Sequence, residues 1–302
     1  MSARTSGSAV VLLAFAVAPV VAPVAAAQNP PQVAGADQAA RTDESYHVEF
    51  GADAWFGRLL GDVTLGAGAS RDIKALDLRD SEVAFAGHAR ISRDRCFAEI
   101  AGFSFDTDGS YSSGGDDFQS DFAWWGVSAD IGYALFTPFA DQSTPWSDEV
   151  RFDRYGGNVN DDKSYRLDLR ISPTLGVTYH DLGLDDRNTT QSTLQSIDGG
   201  WMSVRIGAEI EMRLRPGADF SFLKEIIIGA QISAGPTIGV SGDADGAGMA
   251  VELEAGAKFM FTENIGANLG YRLTDAEFDG SATSGDMEIG VYGLFAGVSI
   301  RF

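Results

Sequence analysis

An all-β fold, a transmembrane up-and-down antiparallel β-barrel of about ten strands, is what this sequence predicts, and three observations predict it. Extended segments alternate apolar and polar residues from Tyr46 to Phe302, the period-two mark of strands with one greasy and one polar face. Setting the first aside, they run to about 11–18 residues, whereas soluble strands cluster near 5–6 and a tilted membrane strand needs about 9–11. Their polar faces carry charges of both signs, which satisfy one another when enclosed in a narrow lumen. Beyond residue 27 no apolar run approaches the ~18 residues of a membrane-spanning helix. A chain that crosses a bilayer with strands must close its sheet, because hydrocarbon leaves edge groups unsatisfied.

The chain opens on what reads as an export signal, residues 1–27. Arg4 is its only charge, an apolar stretch follows from Ala9 with breaks at Pro19 and Pro23, and Ala25-Ala26-Ala27 precede Gln28. That A-x-A ending fits a signal-peptidase site, and the two prolines argue against an uncleaved anchor. No cysteine follows the signal, so lipid modification of a new N-terminus is not expected. Residues 28–45 are polar and rich in Pro, Ala and Gln, a flexible periplasmic leader. The barrel itself spans 46–302.

The strands follow in order. In the first, 46–68, the apolar residues are even (Tyr46, Val48, Phe50, Ala52, Ala54) and then odd (Val63, Leu65, Ala67). A switch between Trp55 and Gly61 predicts one long strand with a bulge, or two short ones. Segments 82–92 and 95–105 are shorter and less clean, with Glu99 on the face of Phe97 and Phe103. Segment 119–136 sets Trp125, Val127, Ala129 and Ile131 against Gly126, Ser128 and Asp130. In 164–179, Leu167, Leu169, Ile171 and Val177 oppose Arg166, Asp168, Arg170 and Ser172. Clearest is 201–214, where Met202, Val204, Ile206, Ala208 and Ile210 alternate with Ser203, Arg205, Gly207 and Glu209. Segments 225–240, 249–262, 264–274 and 286–302 complete the count, with eight or twelve strands as alternatives. Pro173 and Pro236 predict bulges or lapses in pairing, since proline donates no ladder hydrogen bond.

An even count puts both termini on the periplasmic side. Turns at 93–95, 215–223 and 262–264 then share that side, and long external loops fall at 69–81, 106–118, 180–200, 241–248 and 275–285. Residues 137–163 are a long periplasmic exception with room for extra strands. Reflection about the turns places Arg272 opposite Glu254 and Arg213 opposite Glu225. At ten strands the lumen is narrow, and Arg166, Asp168, Arg170, Arg205, Glu209, Glu211, Glu254, Lys258 and Arg272 fill much of it.

The formal net charge is −21 and the sole cysteine is Cys96. Such acidity argues against nucleic acid and against direct attraction to anionic lipid. It fits acidic external loops, with divalent cations able to bridge them to anionic head groups. One cysteine excludes an internal disulfide and a thiolate metal cluster.

The C-terminal segment reads Tyr292, Leu294, Ala296, Val298, Ile300, Phe302 on one face. It resembles the C-terminal strand signature of bacterial outer-membrane proteins. That resemblance implies a diderm cell envelope, an outer membrane of lipid and lipopolysaccharide, and recognition by the barrel-assembly machinery. Phe295 departs from it as an inward aromatic that fills the lumen. The run DAWFGRLLGDVTLGAGASRDIKALDLRD, with a Phe-rich hairpin ending FSFDTDGS, is similar to a group of uncharacterised outer-membrane barrels, and this implies no activity.

Residues that carry chemistry are sparse. Asp106-Thr107-Asp108 and His180-Asp181 fall at predicted external strand ends, and membrane proteases of the omptin family use an Asp pair and an Asp–His pair at the rim. Here His180 directly precedes Asp181, so the two side chains point to opposite faces. A lipid hydrolase needs Ser beside His. Only His47, His88 and His180 are present, and His88 shares a face with Arg90 as a lumen residue. Asp106–Asp117 and Ser241–Gly248 (with Asp243 and Asp245) each begin Asp-x-Asp-Gly, but neither completes a Ca²⁺ loop. Trp55, Trp124, Trp125, Trp201, Tyr165, Tyr271 and Tyr292 read as interfacial girdles. No catalytic, cofactor or metal site is assigned. The expected role is a structural or surface-interaction barrel with a charge-filled lumen. A narrow porin-like channel for small solutes is the alternative, followed by a rim hydrolase of omptin-like type.

Overall fold

Ten long strands run β1 (His47–Thr64), β3 (Glu82–Arg93), β4 (Cys96–Ser113), β5 (Asp116–Tyr133), β6 (Arg166–Asn188), β7 (Thr193–Arg215), β8 (Glu225–Gly242), β9 (Ala247–Met260), β10 (Ile265–Asp279) and β11 (Met287–Arg301); a short β2 (Ser70–Asp72) follows β1. The structure, a computed structural model, describes residues 46–64, 70–93, 95–135, 166–215, 222–242, 246–279 and 287–302. The signal, the leader and residues 137–163 lie outside the described residues. Each long strand pairs antiparallel with its sequence neighbours, and β11 closes on β1 from Glu49 opposite Arg301 to Val63 opposite Met287. At the seam Val48 and Phe302 exchange backbone hydrogen bonds of 3.1 and 2.8 Å. No strand edge is left for hydrocarbon to expose.

The switch in β1 is not a bulge. Its ladders to β3 and β11 hold one register from end to end, so odd residues point inward throughout. What changes is the surroundings. In the lower barrel, Phe50 and Phe56 face out while Glu49 and Asp53 face in; higher up, Arg58 and Asp62 face out while Trp55, Leu59 and Val63 are buried inside. The inversion recurs around the wall. On β4, outward Ile100 gives way to Asp106 and Asp108, and inward Glu99 to Phe105. On β11, outward Leu294 gives way to Glu288, and inward Ser299 and Arg301 to Ile289 and Val291. Where lipid surrounds the wall the polar face must turn in, and where water surrounds it the apolar face must.

This corrects two expected external loops. Residues 106–118 and 180–200 are strand over most of their length: β4 and β5 pair up to Ser113 opposite Asp116, and β6 and β7 up to Asn188 opposite Thr193. Asp, Ser and Gly carry little strand propensity, so these stretches read as loop. Their backbones are nonetheless held in ladders: β5 and β6 pair on both sides, whereas β4 beyond Ser104 pairs only with β5, and β7 before Gly199 only with β6. Gly114 and Gly115 make the β4–β5 turn with φ of 64° and 94°, a region glycine enters at no steric cost.

The expected loop 69–81 instead turns into the barrel. β2 pairs with the top of β1, and one 3₁₀ turn, Ile73–Leu76, follows. Asp72 caps it by accepting from the Lys74 amide at 2.8 Å. Ile73, Leu76 and Leu78 are wholly buried among inward residues of the wall, including Leu59, Phe105, Phe122, Leu184 and Ile289. Pairing of β7 with β8 lapses opposite Gly235 and Pro236, and a bulge lies at Gly200/Trp201. Pairing of β5 with β6 stops just before Pro173, although β6 and β7 pair straight through it.

Around the lower wall the outward residues are aliphatic or aromatic, among them Phe85, Ile131, Ile206 and Leu269, all exposed. A closed antiparallel barrel, aliphatic outside and polar inside over that band, is the architecture of an outer-membrane protein.

Candidate functional site: the lumen

Inward side chains build the lumen in three levels. The lowest is a web of ion pairs. Glu49 on β1 contacts Lys258 on β9, accepts from Arg301 at 3.3 Å and faces His88 Nε2 at 3.5 Å. Arg301 also donates to Glu225 at 2.8 Å. Arg90 donates twice to Glu209, at 2.9 Å each, and lies 3.7 Å over the Phe97 ring. Arg170 sits half-buried on the same inner face. The side chains of Arg166 and Asp168 lie outside the described residues.

The expected pair forms: Arg272 Nε donates to Glu254 at 2.8 Å across β9–β10. The other does not. Arg213 stands opposite Ile227, two residues from the expected partner, and pairs with Glu211 on its own strand. A slip of two residues preserves the inward face and changes the partner.

The middle level couples charge to aromatic rings. Arg205, 1 % exposed, donates to both Asp130 oxygens at 3.0 and 3.2 Å and contacts Glu252. Asp53 accepts from Asn268 at 3.2 Å, which in turn accepts from Ser299 at 3.1 Å. Phe103 stands edge-on between Trp55 and Trp124, with centroids at 5.7 and 5.5 Å. Phe295 fills the lumen beneath Arg272, 5.0 Å from its guanidinium. Glycines admit that ring: a Cβ on Gly270 would sit 2.5 Å from it. Trp55, Trp124 and Trp201 are therefore buried inside the barrel, a correction to their expected place in the girdles. Inward facing on a narrow barrel overrides the interfacial preference of indole. Trp125 and Tyr179 do meet on the outer surface, 5.3 Å apart, and Tyr271 also faces out. Tyr165 lies outside the described residues.

The top level is the plug and its latch. Arg71 of β2 donates to buried Asp186 at 3.2 Å and to the Tyr111 hydroxyl. Tyr111 and Ser120 also donate to Asp186, at 2.9 and 3.1 Å. The Tyr111 ring stacks on Phe118 at 4.8 Å. Burial and the neighbouring Asp186 carboxylate push the Tyr111 hydroxyl up to about 12. Gly109 on the inner face of β4 lets the plug backbone approach, since a Cβ there would lie 2.5 Å from the Leu76 carbonyl oxygen. These residues were hidden in the sequence. The one signal is the spacing of Ile73, Leu76 and Leu78 in a run otherwise suited to a loop.

The residues singled out for hydrolysis are dispersed. Asp106 and Asp108 face outward and Thr107 inward. His180 is sealed in the lumen, where its Nδ1 accepts from Trp124 at 3.3 Å and its Nε2 lies 4.0 Å from Glu252. Asp181 faces the other way and accepts from Tyr179 at 3.0 Å. Asp117, at the end of the Asp106–Asp117 run, accepts from Ser112 at 2.7 Å. Asp243 and Asp245 lie outside the described residues. Among the described residues no three acidic, His or Cys side chains gather as a metal site.

No known protein family matches the chain, and no curated protein matches it by sequence. Solved structures align with it at low identity. Neisserial surface protein A is 11 % identical, covers 85 % of this chain and 97 % of its own, and gives a TM-score of 0.32. The attachment invasion locus protein of Yersinia pestis is 10 % identical over 85 % and 97 %, at 0.31. The outer membrane protease OmpT from Escherichia coli is 10 % identical over 87 % and 98 %, at 0.35.

Proposed function

We propose that this barrel is a closed, non-conducting element of the outer membrane whose projecting upper wall is its working surface, a structural or surface-interaction role. The observation that carries the reading is the plug: Ile73, Leu76 and Leu78, each wholly buried, lie across the upper lumen above the ion-paired web. Re-exposing three such side chains costs roughly 5 kcal/mol or more, so an open barrel is a rare state. The upper wall stands beyond the lipid band and bears exposed Asp62, Asp106, Asp108, Asp121, Asp185 and Asp198. Its expected neighbours are lipopolysaccharide phosphates joined through divalent cations, or cationic molecules outside the cell. Phe302, exposed at the lipid face beside Phe50 at 6.3 Å, suits recognition of the last strand by the barrel-assembly machinery.

Planar-bilayer recording tests the closed state. The protein is expected to give no steady current, and deletion of residues 70–78 is expected to give one. A stable, ion-selective current from the unaltered protein would replace this reading with the channel. The orientation is checked on intact cells: in a Cys96→Ala background, a cysteine replacing Ser110 should react with a membrane-impermeant maleimide.

A further inference from the structure

Beneath the plug the lumen keeps a cavity of about 210 Å³, room for several waters or one small solute. Its wall carries eight carboxylates and three permanent cations among the described residues. Two of those carboxylates stand more open to a solute than the cations that hold them. Glu254 and Glu252 are 43 % and 27 % exposed, while their partners Arg272 and Arg205 are 18 % and 1 % exposed. Both glutamates point inward from β9, two residues apart.

A second observation points to a ligand. Ser233 and Thr178 line the same cavity, each 2 % exposed, and their hydroxyl oxygens have no hydrogen-bond partner within the fold. Ser233 stands directly opposite Glu252 on the β8–β9 ladder. A buried hydroxyl left without a partner is costly, and such groups are met by water or ligand. The wall thus offers acceptor oxygens in excess of charged donors. It repels anions. Among the described residues no three acidic, His or Cys side chains gather there as they do to hold a bare metal ion.

We propose that this cavity binds a small organic ammonium ion, its NH₃⁺ group seated against the Glu254 and Glu252 carboxylates and the Ser233 hydroxyl. An ammonium supplies three donors and a positive charge to a wall whose eight carboxylates outnumber the lining cations together with Arg205, Arg213 and Arg301, which pair with them from beside it. The apolar plug bars approach from outside the cell, so loading is from the periplasmic end.

The test titrates the full barrel, folded in detergent, with 1,4-diaminobutane by calorimetry; butane-1,4-diol and succinate serve as neutral and anionic controls. Saturable one-to-one binding of the diamine alone is expected. Glu254→Gln should weaken it at least tenfold and Ser233→Ala several-fold, whereas Asp108→Asn on the outer wall should leave it unchanged. Ser233→Ala breaks no ion pair, so it keeps the test decisive if Glu254→Gln fails to fold. Absence of saturable diamine binding overturns the proposal. So does equal binding of the diol, loss of binding on Asp108→Asn, or an unchanged affinity in Ser233→Ala.

Discussion

Phe56 and Arg58 lie two residues apart on the same outward face of β1, both exposed, and the level at which hydrocarbon gives way to water passes between them. Below it the outer wall is aliphatic; above it the same face carries aspartates and the interior turns apolar. The barrel is a membrane protein at one end and a soluble barrel at the other, built from one set of strands that run through both levels.

That boundary predicts opposite outcomes for one substitution. Ile206 is 73 % exposed in the lipid band, so Ile206→Arg should cost about 2–4 kcal/mol. Asp108→Arg, outward on the upper wall, should stay within about 1 kcal/mol. Urea unfolding from lipid vesicles, followed by tryptophan fluorescence, measures both. Equal costs would show that Ile206 does not face acyl chains.

The plug depends on a missing side chain. Gly109→Val places atoms where the Leu76 and Asp77 carbonyl oxygens now lie, at 2.5 and 2.6 Å from a Cβ, and overpacking of this kind costs about 1–3 kcal/mol. Limited trypsin digestion reads the outcome. Cleavage after Lys74 and Arg79 should be slow in the native barrel and at least tenfold faster in the variant.

The latch gives the barrel an alkaline sensitivity. Tyr111 holds its proton up to about 12 in the fold, against about 10 for an unfolded tyrosine. Above pH 10 the unfolded chain has lost that proton and the folded one keeps it, so this contribution to stability falls as pH rises from 10 to 12. Phenolate absorbance should show one late-titrating tyrosine, absent in Tyr111→Phe. If titration of the two proteins superimposes, the Asp186 contact is not made.

Inside the membrane level, Arg205→Met should be among the most damaging single changes. It strands Asp130 and Glu252 without their shared cation, and breaking a buried ion pair from one side costs about 3–5 kcal/mol. Chemical unfolding compares it with Arg90→Met, whose partners Glu209 and Glu99 lie in the wetter web below. A smaller loss is expected there, and the reverse order would contradict the burial of Arg205.

Particular residues show how far the sequence reached. The tight turn near 262–264 leaves little freedom, so reflection about it paired Glu254 with Arg272. The longer connection after Arg215 leaves the count open by two, and Arg213 missed Glu225. For the lumen, Arg205, Glu209, Glu211, Lys258 and Arg272 were legible as polar members of alternating strands. The unpartnered Ser233 and Thr178 were not, because a hydroxyl on a strand reads alike whether bonded or orphaned.

By itself the sequence determined the ten strands, their inward and outward faces and the closed sheet, since period-two alternation is a local property that pairing only reads out. It did not reveal where water replaces lipid, which turned an unbroken β1 into an apparent bulge and hid two hairpin extensions as loops. Nor did it place Ile73, Leu76 and Leu78 inside the mouth. Those facts depend on which atoms surround each face, and only the closed barrel, with its outer band and its filled interior, decides that.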